Sequence, residues 1–242
     1  MDNLYKLLNM GNFNGVRVIK VNLRGDYSEA ILEALRVLQQ GGSIVYPTDT
    51  IYGLGANGCD FKAAEQIFKI KQRPWSKPLP LIARNLGWIR SLAFVPPKME
   101  KLLAQLWPGP VTVVLGKRSI IPAIVTANDH TVALRIPDLP LIDKLLAKFG
   151  YPLTATSANL SGEEGSGDIK TVLRAFEGKL WKPDLALDAG CLPKSTPSTI
   201  LDLSTIQPKI LRVGPTKPEI LMRLLGATYA KKPHPKRNSA SV

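Results

Sequence analysis

Helical and strand-like patterns alternate along most of this chain. Apolar residues recur at helical spacing from Asp26 to Gln40, and a short apolar run, Ser43 to Tyr46, follows. A second helical pattern begins near Asp60 and ends at Pro74. Further strand-like runs alternate with helical ones as far as the last helical pattern, which covers 216–225. Because mixed helices and strands pack as layers, the alternation predicts one α/β domain, a mixed sheet with helices on its faces.

The remaining elements follow from the same periodicities and from their end signals. Further strands are predicted over 79–83, 111–115, 131–136, 152–155, 185–187, 199–203 and 209–213, and further helices over 97–107, 139–149 and 168–176.

The two ends of the chain are predicted to differ from the 18–228 domain. Residues 1–17 have no pattern of their own and are expected to form an N-terminal extension. Residues 229–242 carry four basic and no acidic side chains among small polar residues. Such a composition cannot bury a core, so this tail is predicted to be disordered.

The charge of the chain is unevenly distributed. Its 242 residues include 32 Lys and Arg against 19 Asp and Glu, a formal net charge of +13. The block 62–118 alone holds eleven basic and two acidic residues, a surplus of nine. A basic block of this kind predicts an anionic partner, either nucleic acid or a phosphorylated small molecule. The charge alone leaves both open.

Several classes of protein are excluded by composition. No apolar run approaches the ~18 residues of a membrane span, and the first residues lack a secretory signal. Cys59 and Cys191 are far apart, which argues against a disulfide framework or a zinc site and favours the cytoplasm. Of the two histidines, His130 and His234, neither lies near a nucleophile motif. A Ser-His-Asp hydrolase is therefore not expected.

The segment Gly53 to Gly58 matches G-x-G-x-x-G, the dinucleotide-binding fingerprint, but its context does not. Six residues of mixed type separate it from the preceding strand, and no acidic residue lies between Glu65 and Glu100 to bind a ribose. These glycines are interpreted as letting the backbone turn closely into the next helix. No P-loop occurs either.

Four polar segments lie beside predicted strands or helix ends. They are 46–53, with hydroxyls and one carboxylate, 71–77, with three cations, 107–112, with two prolines, and 154–162, with small hydroxyl and amide groups. Ligands collect at strand ends in open α/β sheets, and arginine with lysine suits a polyphosphate. The spacing of the cations is equally typical of a solvated helix end.

Taken in order, seven short motifs resemble the YrdC-like family of threonylcarbamoyl-adenylate synthases over roughly Val18 to Gly214. The motifs are PTDTIYGLG at 47–55, KQRP at 71–74, WPGPVT at 107–112, ALRIP at 133–137, TSANLSG at 156–162, PSTILDL at 197–203 and ILRVG at 210–214. The chain resembles the short, single-domain form of the family.

The resemblance implies a twisted open sheet with a basic concave groove, and it implies a reaction. L-Threonine, bicarbonate and ATP would give threonylcarbamoyl-AMP and pyrophosphate, and a separate threonylcarbamoyl transferase complex would use the product to modify tRNA. Mg²⁺ would arrive with ATP, without a tightly bound cofactor or a resident metal. Direct contact with tRNA or double-stranded RNA is a further expectation, and contact with a membrane is not expected.

The resemblance also implies roles for individual residues. Lys71 and Arg73 would be catalytic, stabilising the charge that develops as pyrophosphate leaves. L-Threonine would be bound by Thr50, Arg135, Ser157 and Ser198. ATP would be bound by Arg73, Lys77, Thr131, Asn159 and Arg212.

The chain departs from the family pattern in two places, and its sequence also allows two rival functions. Asp49 replaces a common glutamate, and residues 163–167 form an acidic, glycine-rich loop where many members have proline, serine and threonine. One rival is a YrdC-like protein that binds double-stranded RNA or tRNA without synthase activity. The other is a carbamoyl-phosphate-using maturation domain, for which the chain has neither the length nor the cysteines.

Overall fold

The computed structural model describes residues 10–226, which form two six-stranded mixed sheets with seven α-helices. The strands are β1 (Met10–Phe13), β2 (Val16–Lys20), β3 (Ile44–Tyr46), β4 (Gly53–Gly55), β5 (Leu81–Ile82), β6 (Val111–Gly116), β7 (Thr131–Arg135), β8 (Leu153–Thr154), β9 (Thr156–Ser157), β10 (Leu185–Asp188), β11 (Thr199–Asp202) and β12 (Lys209–Arg212). The helices are α1 (Ser28–Gln39), α2 (Phe61–Lys71), α3 (Leu86–Leu92), α4 (Pro97–Leu106), α5 (Pro140–Phe149), α6 (Ile169–Ala175) and α7 (Pro218–Leu224).

Each sheet mixes parallel and antiparallel pairs. The first sheet has the order β1-β2-β10-β3-β4-β9, and its central strand β10 runs parallel to both β2 and β3. The second has the order β12-β11-β6-β7-β5-β8, with β6 parallel to β11 and antiparallel to β7. The α/β class and the mixed strand directions are confirmed, but the single sheet expected from the sequence is two sheets.

One short segment, Leu153–Ser157, belongs to both sheets and explains this difference. Its first part, β8, pairs with β5 in the second sheet, and its last part, β9, pairs with β4 in the first. The Tyr46 hydroxyl of the first sheet donates to the carbonyl of Thr154 at 2.9 Å. A run of small and β-branched residues predicts a strand here, but its periodicity contains no sign that the strand changes partner.

The predicted helix ends are largely confirmed. The Asp60 carboxylate accepts from the amide of Ala63 at 2.8 Å, Asp168 accepts from two amides at the start of α6, and Gly150 ends α5 with φ 82°. Helix α1 begins at Ser28, two residues after the predicted start at Asp26. Its N-cap is Tyr27 without a side-chain bond, and Asp26 accepts from the amide of Ser28 just outside the helix.

Helices α1 and α5 cover one face of the first sheet with fully buried side chains. Ala34 and Leu38 of α1 and Ile142 and Leu145 of α5 are at most 2% exposed and belong to one apolar cluster with Ile44 of β3. Burying each of the larger aliphatic side chains contributes about 1.5–3 kcal/mol.

The glycines of β4 have a different role from the one expected. Gly53 and Gly55 lie inside a strand, not in a turn to the next helix. A Cβ on Gly53 would lie 2.8 Å from Tyr46 Cζ, and one on Gly55 would lie 2.6 Å from Tyr46 Cε1. The Tyr46 ring lies flat against this strand, so the pair of glycines provides space for an aromatic side chain and not for a dinucleotide.

The N-terminal boundary also differs from the expectation. Strand β1 and the start of β2 fall within residues 1–17, and β2 pairs with β10 in the body of the first sheet. Residues 10–17 are therefore part of the domain. Strands β1, β2, β4 and β9 and helix α3 were not predicted. Residues 1–9 and the basic tail at 229–242 lie outside the described residues. Among residues 10–226, no helix has the length and apolar character needed to cross a membrane.

Candidate active site

A cavity of about 380 Å³ lies where the two sheets meet. Gly53 of β4 and Ser157 of β9 line it from the first sheet, while Thr112, Val114 and other residues of β6, β7, β11 and β12 line it from the second. The crossing segment Leu153–Ser157 thus forms one wall. Both sheets contribute to one concave site, as expected for a ligand pocket.

Side chains alternate between the two faces of the second sheet, and those on one face form the floor of the cavity. Val114 of β6, Ala133 of β7 and Ile200 of β11 line the cavity, and their apolar neighbours in each strand point into the core. By the same alternation, Thr131 and Arg135 lie on the Ala133 face of β7.

Arg135 meets a carboxylate at one end of this floor. Its Nη2 lies 2.5 Å from Asp49 Oδ1, its Nη1 donates to Thr50 Oγ1 at 3.1 Å, and its Nε donates to the carbonyl of Gly109 at 2.9 Å. We call Asp49, Thr50 and Arg135 the Asp49–Arg135 corner. The ion pair is largely buried, so the charge of Arg135 is already compensated before any ligand arrives.

Three cations line the cavity without a carboxylate partner in residues 10–226. They are Arg73, Lys77 and Arg212, which we call the cationic rim. Burial lowers the pKa of Arg73 and Arg212, and the charge of Arg135 adds to the lowering at Arg212. Guanidinium groups nevertheless stay protonated in proteins, so the rim carries an uncompensated positive charge.

The rim arginines are held in place by backbone carbonyls. Arg73 donates from Nε to the carbonyl of Lys77 at 3.1 Å and from Nη2 to that of Pro78 at 2.9 Å, which fixes the turn that carries Lys77. Arg212 donates to the carbonyl of Ser198 at 2.9 Å and to its hydroxyl at 3.2 Å. Each guanidinium has five N–H groups, so donors remain for a ligand.

Thr112 supports Ser198 and was not predicted from the sequence. Its Oγ1 lies 2.7 Å from Ser198 Oγ, and both hydroxyls are buried. Thr112, Ser198 and Arg212 therefore form a continuous hydrogen-bonded chain. The signal was available in the sequence, because Thr112 shares a strand face with Val114 inside a β-branched run.

Lys71 is buried behind the cavity wall. It is 1% exposed, and its Nζ donates to the carbonyls of Ser157 and Asn159, each at 2.6 Å. Burial, and after it the charge of Arg73, lowers the pKa of Lys71 to about 7, while Glu163 acts in the opposite direction.

Asn159 is also buried but has one atom without a partner. Its amide nitrogen donates to the carbonyls of Leu160 and Glu163 at 2.7 and 2.8 Å. Its Oδ1 is the single buried side-chain oxygen or nitrogen in residues 10–226 that makes no hydrogen bond. Such an atom is costly unless a ligand donates to it.

The acidic loop 163–167 packs on the same wall. A Cβ on Gly165 would lie 2.6 Å from Ile51 Cδ1 and 2.9 Å from Ser157 Cβ, and the amide of Tyr52 donates to the carbonyl of Ser166 at 3.0 Å. The loop therefore closes over Ser157, and glycine is required at 165 for that approach.

The structure brings most of the predicted site residues together. Six of the ten line the cavity: Thr50, Arg73, Lys77, Ser157, Ser198 and Arg212. Four do not: Arg135 touches Thr50, Thr131 lies further along the floor strand, and Lys71 and Asn159 lie behind Ser157.

A concave site with uncompensated cations, built on an α/β domain, is typical of anion-binding α/β proteins. The family model described as "Telomere recombination", which covers Sua5, YciO and YrdC, matches residues 36–214. The chain therefore belongs to the Sua5/YciO/YrdC family.

Several curated relatives are named threonylcarbamoyl-AMP synthase. The threonylcarbamoyl-AMP synthase of Pyrococcus abyssi is 33% identical over 210 residues, which cover 86% of this chain and 61% of the relative. That of Yersinia enterocolitica is 35% identical over 185 residues, which cover 75% of this chain and 95% of the relative. The chain thus spans under two thirds of the archaeal protein and nearly all of the Yersinia protein.

Solved structures agree with the fold. The crystal structure of P. abyssi Sua5 complexed with L-threonine superposes with a TM-score of 0.80 at 33% identity, over 86% of this chain and 61% of that one. Escherichia coli YciO gives a TM-score of 0.76 at 28% identity, over 84% of this chain and 97% of that one.

Proposed function

We propose that this chain is an L-threonylcarbamoyladenylate synthase, a nucleotidyltransferase that forms threonylcarbamoyl-AMP and pyrophosphate from L-threonine, bicarbonate and ATP. The observation that carries the proposal is the position of a charge-compensated corner, which reaches the cavity through Thr50, beside an uncompensated cationic rim that lines the cavity. The names of the curated relatives support it.

The Asp49–Arg135 corner suits L-threonine. A free amino acid is a zwitterion, and a corner that holds both a carboxylate and a guanidinium offers a partner for each of its charges. The hydroxyls of Thr50, Ser157 and Ser198 line the same cavity and provide hydrogen bonds for its polar groups. The threonine-bound P. abyssi relative is consistent with this assignment.

The cationic rim suits the triphosphate of ATP. Arg73 and Arg212 can each use two N–H groups on a phosphate, while Lys77 acts as a point charge. Asn159 Oδ1, buried and without a partner, would accept from a nucleotide amine or hydroxyl. We propose Thr131 as a further ATP contact, since it lies on the floor face of β7.

The chemistry requires orientation and charge neutralisation. The amine of threonine adds to bicarbonate with loss of water, and a carbamate oxygen then forms a bond to the α-phosphorus of ATP while the bond to the bridging oxygen breaks. Pyrophosphate leaves with the developing negative charge, which Arg73 would stabilise. Mg²⁺ would enter with ATP and shield its phosphates. Within residues 10–226, no group of three His, Cys, Asp or Glu residues could bind a metal of its own.

The product would serve tRNA modification. A cytoplasmic location, transfer to a separate threonylcarbamoyl transferase complex and direct contact with tRNA belong to this proposal.

The test is pyrophosphate release with each substrate omitted in turn. Release that requires ATP, threonine and bicarbonate together is expected, and formation of threonylcarbamoyl-AMP should match it mole for mole. Release that ignores threonine would refute the proposal. The surplus of nine basic charges over 62–118 also favours the RNA-binding alternative. No pyrophosphate release, together with salt-dependent binding of double-stranded RNA, would favour that alternative.

A further inference from the structure

Lys71 contacts the 157–161 segment at two points. Its side-chain Nζ donates to the carbonyls of Ser157 and Asn159 at 2.6 Å, and its own backbone carbonyl accepts from the amide of Ser161 at 2.8 Å. The residue ends α2, and the next residue, Gln72, turns the chain away with φ 50°. Because α2 is packed into the core, Lys71 is a fixed point to which this segment is attached.

The partners of the Lys71 amine are unusual for a buried cation. A buried ammonium normally pairs with a carboxylate, and Lys71 has no such pair within residues 10–226. The charged groups that act on it are Arg73 and Glu163. A neutral amine still has two N–H groups, one for each carbonyl. Both bonds can therefore form in either protonation state of Lys71.

We propose that Lys71 is a positioning residue that holds the Ser157–Asn159 turn, so that Ser157 faces the cavity, and that it does not contact the phosphates. The cavity is lined by Ser157 and Arg73 but not by Lys71. This inference depends on the proposed function only in naming threonine as the ligand of Ser157.

The first test separates positioning from phosphate chemistry by measuring threonine binding without ATP. Lys71→Met leaves the two carbonyls without donors, so calorimetry should show threonine binding weakened about tenfold or more. Lys62→Met is the matched control, because it removes an exposed lysine of the same helix that makes no side-chain hydrogen bond to the 157–161 segment. It should change threonine binding less than about twofold.

The second test follows the segment itself by hydrogen exchange. Amides in the 158–161 region should exchange about tenfold faster in Lys71→Met than in the wild type, and at an unchanged rate in Lys62→Met. Lys71→Gln restores two N–H donors without a positive charge. It should recover part of the threonine affinity and most of the amide protection, and it replaces Lys71→Met if that variant does not fold.

The outcomes distinguish this inference from the proposed function. If wild-type protein binds no threonine, the proposed function fails, and the exchange experiment still decides the role of Lys71. If Lys71→Met binds threonine and protects its amides like the wild type but releases less pyrophosphate, Lys71 acts on the reacting groups and the positioning role is wrong. The same holds if Lys71→Gln is no better than Lys71→Met.

Discussion

The Asp49–Arg135 corner and the cationic rim contain the same kind of side chain in opposite electrostatic states. Arg135 is bound to a carboxylate, a hydroxyl and a carbonyl, so little of its charge is available. Arg212 bonds Ser198 alone, and its charge has no counter-ion in the described part of the chain. An arginine paired with an internal carboxylate therefore offers a ligand both charges, whereas an arginine without one offers net positive charge.

The difference in charge compensation also indicates which kind of ligand suits each region. A site in which charges cancel selects a ligand with both signs, while a site of one sign selects a polyanion and draws it in from a distance. Thr50 connects the corner to the cavity that the rim lines, so the proposed zwitterion and triphosphate would lie side by side.

The largest effect is expected from removing one cation of the rim. Arg212→Met should lower kcat/KM for ATP about 100-fold, because an uncompensated guanidinium contributes most where negative charge develops. Steady-state pyrophosphate release measures this, and threonine binding should change much less. Arg174→Met, which removes an exposed arginine on α6, is the control. Equal losses in both variants would contradict a specific role for the rim.

A smaller effect is expected from removing the negative charge of Asp49 in the corner. Asp49→Asn leaves Arg135 without its counter-ion, so the corner no longer matches a zwitterion, and threonine binding should weaken about tenfold. Calorimetry with threonine and with ATP separates the two regions. ATP affinity should stay the same or increase, because the cavity becomes more positive. A fall in ATP affinity equal to that for threonine would mean that the two regions are not distinct.

Lys71 belongs to neither region, and its lowered pKa leads to a prediction about stability. Burial lowers the pKa of Lys71 to about 7 in the folded chain, so the unfolded chain binds more protons above that pH. The contribution of Lys71 to the free energy of unfolding should therefore rise with pH between about 7.5 and 9.5, by about 1 kcal/mol per pH unit. Urea unfolding of wild type and Lys71→Met at several pH values gives this difference, and a flat difference would contradict the lowered pKa.

The smallest effect is expected at Thr112. Thr112→Val keeps the shape but removes the hydroxyl bonded to Ser198, so kcat/KM for threonine should fall about threefold to tenfold. Thr112→Ser keeps the hydroxyl and should restore most of it. If valine and serine behave alike, the hydroxyl chain from Thr112 to Arg212 has no role in binding.

Local patterns predicted most of the helices and strands, and they predicted part of the site. Asp60 and Asp168 cap the starts of their helices, and Gly150 ends its helix. Such signals can be found in a sequence because they depend on a few neighbouring residues. Six of the ten predicted site residues line one cavity because ordered motifs bring the same loops together. The helix ends follow from local chemistry, and the shared cavity follows from the order of the motifs.

What the sequence did not predict depends on contacts between distant residues. Strand β4 was not predicted because its glycines suit the ring of Tyr46, which becomes a neighbour only after β3 and β4 pair. The burial of Lys71 and the compensation of Arg135 likewise depend on carbonyls and a carboxylate more than 80 positions away. Periodicity and capping signals do not contain that information.

The segment Leu153–Ser157 has a consequence for how the molecule unfolds. Because β8 is bonded into one sheet and β9 into the other, neither sheet can separate at this edge without pulling on its neighbour. The two halves are thereby coupled into one cooperative unit that should unfold in a single transition. A ligand that binds against this segment stabilises both halves at once, so occupancy of one pocket raises the melting temperature of the whole domain.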